Sequence, residues 1–306
     1  FAIFATYLVL TIAFAFVAFT PDPNLEGQSF QMRRGGATAE EVQQFRQTYL
    51  AARGQDAPIE ERYVDWLVDI STFQWGGSAH YEKPVTGVLA EHLPHTLGYV
   101  LPAMVLSILL GVAIGMYSAT NSGSVLARLA SGGSYLGLGV PNFWLASMIG
   151  IAFAGDIGWL DLSWVWATVG RPMGFWSTGH LAYLGLAALV LATSLLAGQL
   201  RHARAQANEY VDAEFVKLVR AKGASNWRIA RHVLRNAALP LFSLFFADLL
   251  GVLVVEVFIL ESPMVFGIEG IGHVGLEAIR DRDLVLVLGV AMVFAFAGIV
   301  GNLIQE

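Results

Sequence analysis

The sequence predicts an all-α polytopic membrane protein with six transmembrane helices. Of its 306 residues, 56% are hydrophobic and only 14% are charged, whereas about a quarter of the residues in a soluble domain are charged. The mean hydropathy is +0.58. The hydrophobic residues are grouped in runs of roughly 20 residues, which is the length that crosses the hydrocarbon core of a bilayer. The chain has no cysteine, which excludes disulfides, thiolate metal sites and cysteine nucleophiles.

The first apolar run, 1–20, carries no charge and is followed by Pro21. It is too long for the apolar part of a signal peptide, and no run of small residues marks a cleavage site. We therefore expect a retained transmembrane helix. The other five predicted spans are about 96–120, 129–155, 181–200, 236–260 and 284–304.

Three parts of the chain follow from these spans: transmembrane helix 1 at 1–20, an extracytoplasmic segment at 21–95 and a core with the other five helices at 96–306. The segment 21–95 is polar and mixed in charge, and its patterns indicate helices near 39–53 and 59–70. We expect a small extracytoplasmic insertion after the first helix.

Glycine marks two of the predicted spans. Gly111 and Gly115 in the second span have the small-xxx-small spacing that lets two helices approach closely. The third span contains Gly132, Gly133, Gly137, Gly139 and Pro141, so we expect its helix to be interrupted.

The loop 201–239 separates the fourth and fifth spans and is strongly basic. It has eight Arg and Lys residues against three acidic ones. By the positive-inside rule a loop of this kind is cytoplasmic. This orientation places both termini in the cytoplasm and the segment 21–95 outside.

The same loop has the pattern of two short amphipathic helices joined at Gly223, which can adopt the turn between them. Val211, Phe215, Leu218 and Val219 share one face. A second apolar stripe begins at Trp227 and includes Ile229 and Val233. We interpret this segment as a docking element for another protein. The residues expected at the contact are Lys217, Arg220, Ala221, Lys222, Gly223, Ala224, Ser225, Asn226, Trp227 and Arg228.

No catalytic motif is found. The dipeptide Gly-Lys does not occur, so the chain has no Walker A loop for ATP hydrolysis. The metalloprotease pattern H-E-x-x-H and the nucleophile elbow G-x-S-x-G are also missing. His92 and His95 are interpreted as a solvated pair rather than metal ligands. The sequence predicts neither a catalytic nor a metal site.

Two acidic residues, Asp248 and Glu256, lie within the fifth span. Carboxylates at this depth are costly and usually face the bundle interior or a water-filled path. They either line a translocation pathway together with Asn142, or form an interhelical clamp with Asn142 or Gln199. The same acids leave two other functions open: an ion-coupled secondary transporter or channel, and a membrane enzyme that uses them as an acid/base pair.

The basic loop resembles the cytoplasmic "EAA" loop of binding-protein-dependent ABC transporter permeases, in the dipeptide/oligopeptide/nickel family. The matching stretches are Tyr210-Val-Asp-Ala-Glu-Phe-Val-Lys-Leu-Val-Arg-Ala-Lys-Gly223 and Arg231-His-Val-Leu-Arg-Asn-Ala-Ala-Leu-Pro240. The similarity continues at Gly139-Val-Pro-Asn-Phe-Trp144 and at Gly270-Ile-Gly272. Glu269 departs from the family, which has a proline there, and the stretch from Glu261 is two residues longer.

The resemblance implies the type I ABC importer permease fold and a heterodimer with a second, homologous permease. It also implies two cytoplasmic ABC ATPases, which bind ATP and Mg²⁺, and an extracytoplasmic solute-binding protein. This chain would bind no cofactor and no nucleic acid. It would couple ATP hydrolysis by its partners to the import of short peptides, or of nickel chelates or related solutes, across a prokaryotic cell membrane.

Overall fold

A computed structural model describes residues 2–52, 56–154, 175–211, 213–251 and 255–305. Within these ranges the chain is helical and forms no strand; an isolated bridge joins Gly77 to Pro84. The helices are α1 (Ala2–Phe19), α2 (Pro23–Arg34), α3 (Ala39–Ala51), α4 (Ile59–Ser71), α5 (Val85–Thr120), α6 (Val125–Gly139), α7 (Asn142–Ala154), α8 (Thr178–Val211), α9 (Glu214–Ala221), α10 (Asn226–Gly251), α11 (Val257–Glu261), α12 (Ile271–Arg280) and α13 (Leu284–Gln305).

Three of these helices are long and apolar enough to cross a membrane. They are α5, α8 and α13, the last over Leu284–Leu303, and they correspond to the predicted second, fourth and sixth spans. The predicted first span coincides with α1, the third with α6 and α7, and the fifth overlaps α10. The all-α membrane architecture is confirmed, while the number of six spans stays a prediction.

Two helices differ from the predicted spans at the ends that flank the basic loop. α8 runs on to Val211, and α10 begins at Asn226, so most of the basic segment 201–239 is helical. The sequence 201–211 has three Ala and two Arg, which are strong helix formers. The change from apolar to charged residues at Arg201 therefore did not end the helix.

The third predicted span is interrupted, as its composition indicated. α6 ends at Gly139 and α7 begins at Asn142, with the break at Val140 and Pro141. Proline has no N–H to donate and its ring crowds the preceding turn, so it begins a new helix more easily than it continues one. Residues 155–174, which include the end of this span, lie outside the described part.

The chain divides into two compact units, residues 1–91 with 274–299 and residues 92–273 with 300–306. In the first unit, Leu10 of α1, Ile70 of α4 and Met292 of α13 form a buried apolar cluster. The rings of Phe14 and Tyr63 meet edge to face, with centroids 5.1 Å apart. This cluster holds α4 of the insertion onto α1 and α13.

Within 21–95, the predicted helices are confirmed as α3 and α4, and α2 was missed. α3 begins with a capping box: Thr38 Oγ1 accepts from the Glu41 backbone N–H at 3.3 Å, and Glu41 accepts from the Thr38 N–H at 2.7 Å. α2 begins after Asp22, which caps the N–H of Asn24 at 2.8 Å. Asp22-Pro23 is a standard start signal, so α2 was readable from the sequence.

The end of the insertion is tied to the C-terminal part of the same unit. Asp283 Oδ2 accepts hydrogen bonds from the Ser78 hydroxyl at 2.7 Å and from the His80 backbone N–H at 3.2 Å. The Tyr81 hydroxyl donates to Glu277 at 2.6 Å. Because Asp283 also caps the start of α13 through the Leu286 N–H, one carboxylate fixes two segments far apart in sequence.

In the second unit α8 packs against α6, α7 and α10. The glycines of α5 lie directly on it, as their spacing predicted: a Cβ at Gly115 would lie 2.6 Å from the carbonyl oxygen of Leu200. Gly137 of α6 approaches the carbonyl of Thr193 in the same way. α8 is therefore the helix on which α5, α6, α7 and α10 pack.

Candidate functional site

The predicted docking segment forms a helix, a tight turn and the start of a second helix. α9 ends at Ala221, and Gly223 has φ +75°. The turn is closed by the Gly223 N–H, which donates to Arg220 at 2.9 Å, and by the Ala224 N–H, which donates to Val219 at 3.3 Å. A Cβ at Gly223 would meet no atom. Glycine is therefore needed here for its backbone conformation and not for space.

The second of the two short helices expected in this loop is the beginning of the long helix α10. The expected apolar face of the first is also partly wrong. Val216 is the fully buried residue of α9, while Leu218 is 57% exposed. Trp227, which the sequence placed at the head of the second stripe, is 80% exposed. Periodicity alone could not choose between neighbouring apolar residues because nearly every position of α9 that is not charged is apolar.

An apolar cluster anchors α9 to three helices. Val216 packs with Met116 and Ala119 of α5, Ala207 of α8 and Ile229 of α10. Phe215, Val219 and Tyr210 cover its edge. A side-chain bond adds to the anchor, since the Asn226 amide donates to Asn121 Oδ1 at 2.9 Å. Displacement of α9 must therefore displace the ends of α5, α8 and α10.

The opposite side of the segment faces outward. Of the ten residues expected at the contact, only Ala224 is half-buried, and the others are exposed. Four of the exposed residues are the cations Lys217, Arg220, Lys222 and Arg228, and none of the four is in an ion pair with a described residue. Ala221, Gly223, Ala224 and Ser225 give the turn small side chains, which lets a groove on another protein approach its backbone.

A cavity of about 550 Å³ lies between α6, α8 and the chain after α10. Glu256 and Ser194 line it, together with Arg201 and His202. Glu256 is half-buried, and its Oε2 is shielded from solvent and accepts no hydrogen bond from the described residues. A carboxylate oxygen with unused acceptor capacity beside a polar cavity can receive a donor from a passing solute or from water.

Asn142 and Asp248 are the other two expected pathway residues. Asn142 is buried and held by α8: its amide donates to the Ser194 hydroxyl at 2.9 Å, and the Thr193 hydroxyl donates to its Oδ1 at 3.4 Å. Asn142 thus orients the Ser194 hydroxyl, which lines the cavity. The side chain of Asp248 lies outside the described part of the structure, as does the chain at 252–254 between it and Glu256.

A buried carboxylate that the sequence did not single out as a site is Glu261. It is fully buried at the end of α11. Its Oε1 accepts from the Thr96 hydroxyl at 2.7 Å and from the Tyr99 hydroxyl at 3.1 Å. Its Oε2 accepts from the backbone N–H groups of Gly272 at 2.6 Å and His273 at 3.2 Å. Glu261 therefore joins α5, α11 and the first turn of α12.

Burial raises the pKa of Glu261 to about 7, although hydrogen bonds from Thr96, His273, Gly272 and Tyr99 act in the opposite direction. The glycine pair of this loop is required by close packing. A Cβ at Gly270 would collide with Glu261 and Thr96, and one at Gly272 would lie 2.8 Å from the carbonyl of Val257. In the sequence, only the pair Gly270 and Gly272 and the position of Glu261 at the end of an apolar run indicated this network.

The two histidines at the start of the second span contact different groups through Nδ1. His92 Nδ1 lies 2.7 Å from the Glu269 carbonyl oxygen, and His95 Nδ1 lies 3.1 Å from His180 Nε2. Among the residues the structure describes, no group of three or more potential ligands could hold a metal ion.

Comparison with known proteins agrees with this architecture. Residues 111–306 match the family model described as "Binding-protein-dependent transport system inner membrane component". The oligopeptide transport system permease protein AppB of Bacillus subtilis is 27% identical over 266 residues, which cover 85% of this chain and 81% of that protein. A putative peptide transport system permease protein of Brucella abortus is 28% identical over 89% of this chain and 83% of its own length.

The oligopeptide transport system permease protein OppB of Haemophilus influenzae is 28% identical, over 81% of this chain and 78% of that protein. These relatives are named as transport components and not as enzymes, in keeping with the lack of a catalytic motif. The chain is a multi-pass membrane protein. It belongs to the family of binding-protein-dependent transport system inner membrane components.

Proposed function

We propose that this chain is the transmembrane permease subunit of an ATP-driven importer of short peptides. The observation that carries the proposal is the segment around Gly223, which is exposed, cationic and anchored to three long helices. A chain with no nucleotide-binding motif but with such a surface needs a partner that binds ATP. The named substrates of its relatives, oligopeptides and peptides, support the substrate class.

The partners follow from the same proposal. Two ABC ATPases bind beneath the exposed side of α9 and hold ATP and Mg²⁺, so this chain itself needs no cofactor. A second, homologous permease completes the pathway, and a solute-binding protein delivers the peptide to the extracytoplasmic side, where the segment 21–95 lies. Both termini and the loop 201–239 are cytoplasmic.

Coupling works through the anchor of α9. When ATP closes the ATPases, they move the segment from Arg220 to Trp227, here called the coupling segment. Val216 transmits this movement to α5, α8 and α10. The subunit then turns as a packed body between inward- and outward-facing states. Glu256 and Ser194 line the cavity beside α8, so the same movement alters the walls of the candidate pathway.

The coupling surface is tested with Gly223→Val, which cannot adopt φ +75° without strain. We expect the variant to insert and to copurify less ATPase, and to lose peptide uptake. Gly123→Val is the matched control: a Cβ there meets no atom and its φ is not positive. Normal uptake by Gly223→Val, or assembly with the ATPases through a different loop, would contradict the proposal.

The pathway is tested separately with Glu256→Gln, which keeps the size of the side chain and removes its charge. We expect copurification of the ATPase to be unchanged and peptide uptake to fall by about ten-fold, as for loss of one charged hydrogen bond. Glu60→Gln, an exposed acid at the start of α4, should change neither. Unaltered uptake in Glu256→Gln would remove this residue from the pathway while leaving the coupling proposal intact.

A further inference from the structure

An open groove of about 940 Å³ runs between α5 and α10. It lies in the second unit, away from the cavity at Glu256. Its floor is made of Met116 and Leu241, which are buried. Its rims are exposed apolar side chains, including Leu109 at 63% and Phe242 at 44%. The described part of the chain therefore leaves the space open.

The groove has the length of one leaflet of a bilayer. On α5 it extends from Asn121 to Ile108, which is about 20 Å along a helix that rises 1.5 Å per residue. Half of the hydrocarbon core plus one interfacial layer is of the same order. The groove begins at the end of α5 next to the coupling segment and stops inside the membrane.

The polarity of the lining changes along this length. Arg231, Asn121 and Asn226 line the end next to the coupling segment, where the exposed ring of Trp227 also lies. On α10 the lining beyond Arg231 is apolar as far as Phe242. A cation and amide donors at one end, an aromatic ring at the interface and apolar walls beyond reproduce the order of groups along a phospholipid.

We propose that this groove binds an anionic phospholipid, with an acyl chain between α5 and α10 and the phosphate beside Arg231. No described acid is in an ion pair with Arg231, so its guanidinium is available to a phosphate, which it can bind with two donors. Binding goes beyond the proposed transport function and does not depend on it. Only the placement in the inner leaflet rests on the proposed orientation.

A helix of the partner permease is the competing occupant. A membrane-spanning helix would need a groove that crosses both leaflets, and its apolar face would cover Arg231 without supplying a negative charge. Covering an unpaired cation with apolar atoms is costly. Length and charge therefore both favour a lipid.

Native mass spectrometry of the full chain, purified in mild detergent and titrated with phosphatidylglycerol or phosphatidylcholine, tests the proposal. We expect phosphatidylglycerol to bind more tightly, and Arg231→Gln to weaken it by about five-fold, as for one cation at a membrane surface. Arg235→Gln is the matched control, since Arg235 is exposed on the same helix one turn away and does not line the groove. The Arg235→Gln variant should bind phosphatidylglycerol as tightly as the original chain does.

A second variant tests the apolar part. Ala238→Trp places a large ring in the groove and should weaken both lipids equally. Arg231→Gln should weaken phosphatidylglycerol more than phosphatidylcholine, because choline already balances the charge of the phosphate in phosphatidylcholine. Equal binding of the two lipids to the original chain, or no change in either variant, would overturn the proposal. So would efficient cross-linking of Ala238→Cys to the second permease in the assembled transporter, because a protein would then cover the groove.

Discussion

Thr96 of α5 stands between Glu261 and the first turn of α12. Its hydroxyl donates to Glu261 Oε1 at 2.7 Å and accepts the backbone N–H of Ile271 at 2.8 Å. Thr96 is buried, so water does not compete for these bonds. A threonine on a long apolar helix thus fixes the loop between α11 and α12, which the family resemblance places on the extracytoplasmic side.

The closeness of this packing predicts that Gly270→Ala destabilises the subunit. The added Cβ would collide with the carboxylate of Glu261 and the hydroxyl of Thr96, and relief by movement would break their hydrogen bond. We expect a loss of about 1–3 kcal/mol, as for other overpacked sites, measured as a lower unfolding temperature in detergent. Gly185→Ala, where a Cβ meets no atom, should be neutral or slightly stabilising. An equal effect of both substitutions would show that Gly270 is not confined.

Glu261 also predicts a dependence of stability on pH. Its pKa is raised by burial from an ordinary 4.5 to about 7, so between these values the folded chain binds a proton that the unfolded chain has released. Its contribution to stability is therefore fully present below pH 4.5 and is lost as the pH rises through 7. The unfolding temperature should fall across this window, and Glu261→Gln should remove most of the slope.

His273 contacts the Glu261 backbone carbonyl through Nδ1 at 3.3 Å, so its contribution to the slope is tested separately with His273→Gln. If Glu261 is responsible, this variant keeps the slope of unfolding temperature against pH. Parallel curves for the original chain and Glu261→Gln would show that the carboxylate does not titrate there.

The anchor of α9 predicts a local effect of Val216→Ala. The substitution removes two fully buried methyl groups from the cluster with Met116 and Ile229, which is worth ~2 kcal/mol. Hydrogen exchange of residues 213–225 should become faster while that of α5 is unchanged. Leu218→Ala, at an exposed position of the same helix, should leave exchange as it was. Faster exchange in both variants would mean that α9 is not held by its buried face.

The proposed orientation is tested by single cysteines, because the chain has none of its own. Gln43 of α3 and Lys222 of the coupling turn are both exposed. A membrane-impermeant maleimide added to intact cells should label Gln43→Cys at once and Lys222→Cys only after the membrane is opened. The reverse pattern would invert the topology.

Local signals in the sequence were sufficient to predict the turn at Gly223 and two features of the long helices. A left-handed conformation at Gly223, the close approach of Gly111 and Gly115 to α8, and the break at Pro141 each depend on one residue type whose backbone or size has few substitutes. The charge of the loop also indicated which residues would be exposed. Such features can be predicted because each requires a particular residue type at its own position.

The Glu261 network could not be predicted because its members are brought together only by the fold. Thr96 and Glu261 are 165 positions apart, and neither residue is unusual in its own segment. Periodicity also failed within α9, where it did not show that Val216 rather than Leu218 is buried. Which apolar residue is covered is decided by the position of α5 and α8, which a local pattern does not contain.

α8 is one continuous helix from Thr178 to Val211, a rod of roughly 50 Å at 1.5 Å per residue. Ala207, near one end, supports the coupling helix, and Ser194, near the middle, forms part of the cavity wall. A tilt of about 5° about one end would carry the other end by about 4 Å over such a length. Gating of the cavity and motion of the ATPases would then be a single mechanical event, with no intermediate in which one has moved and the other has not.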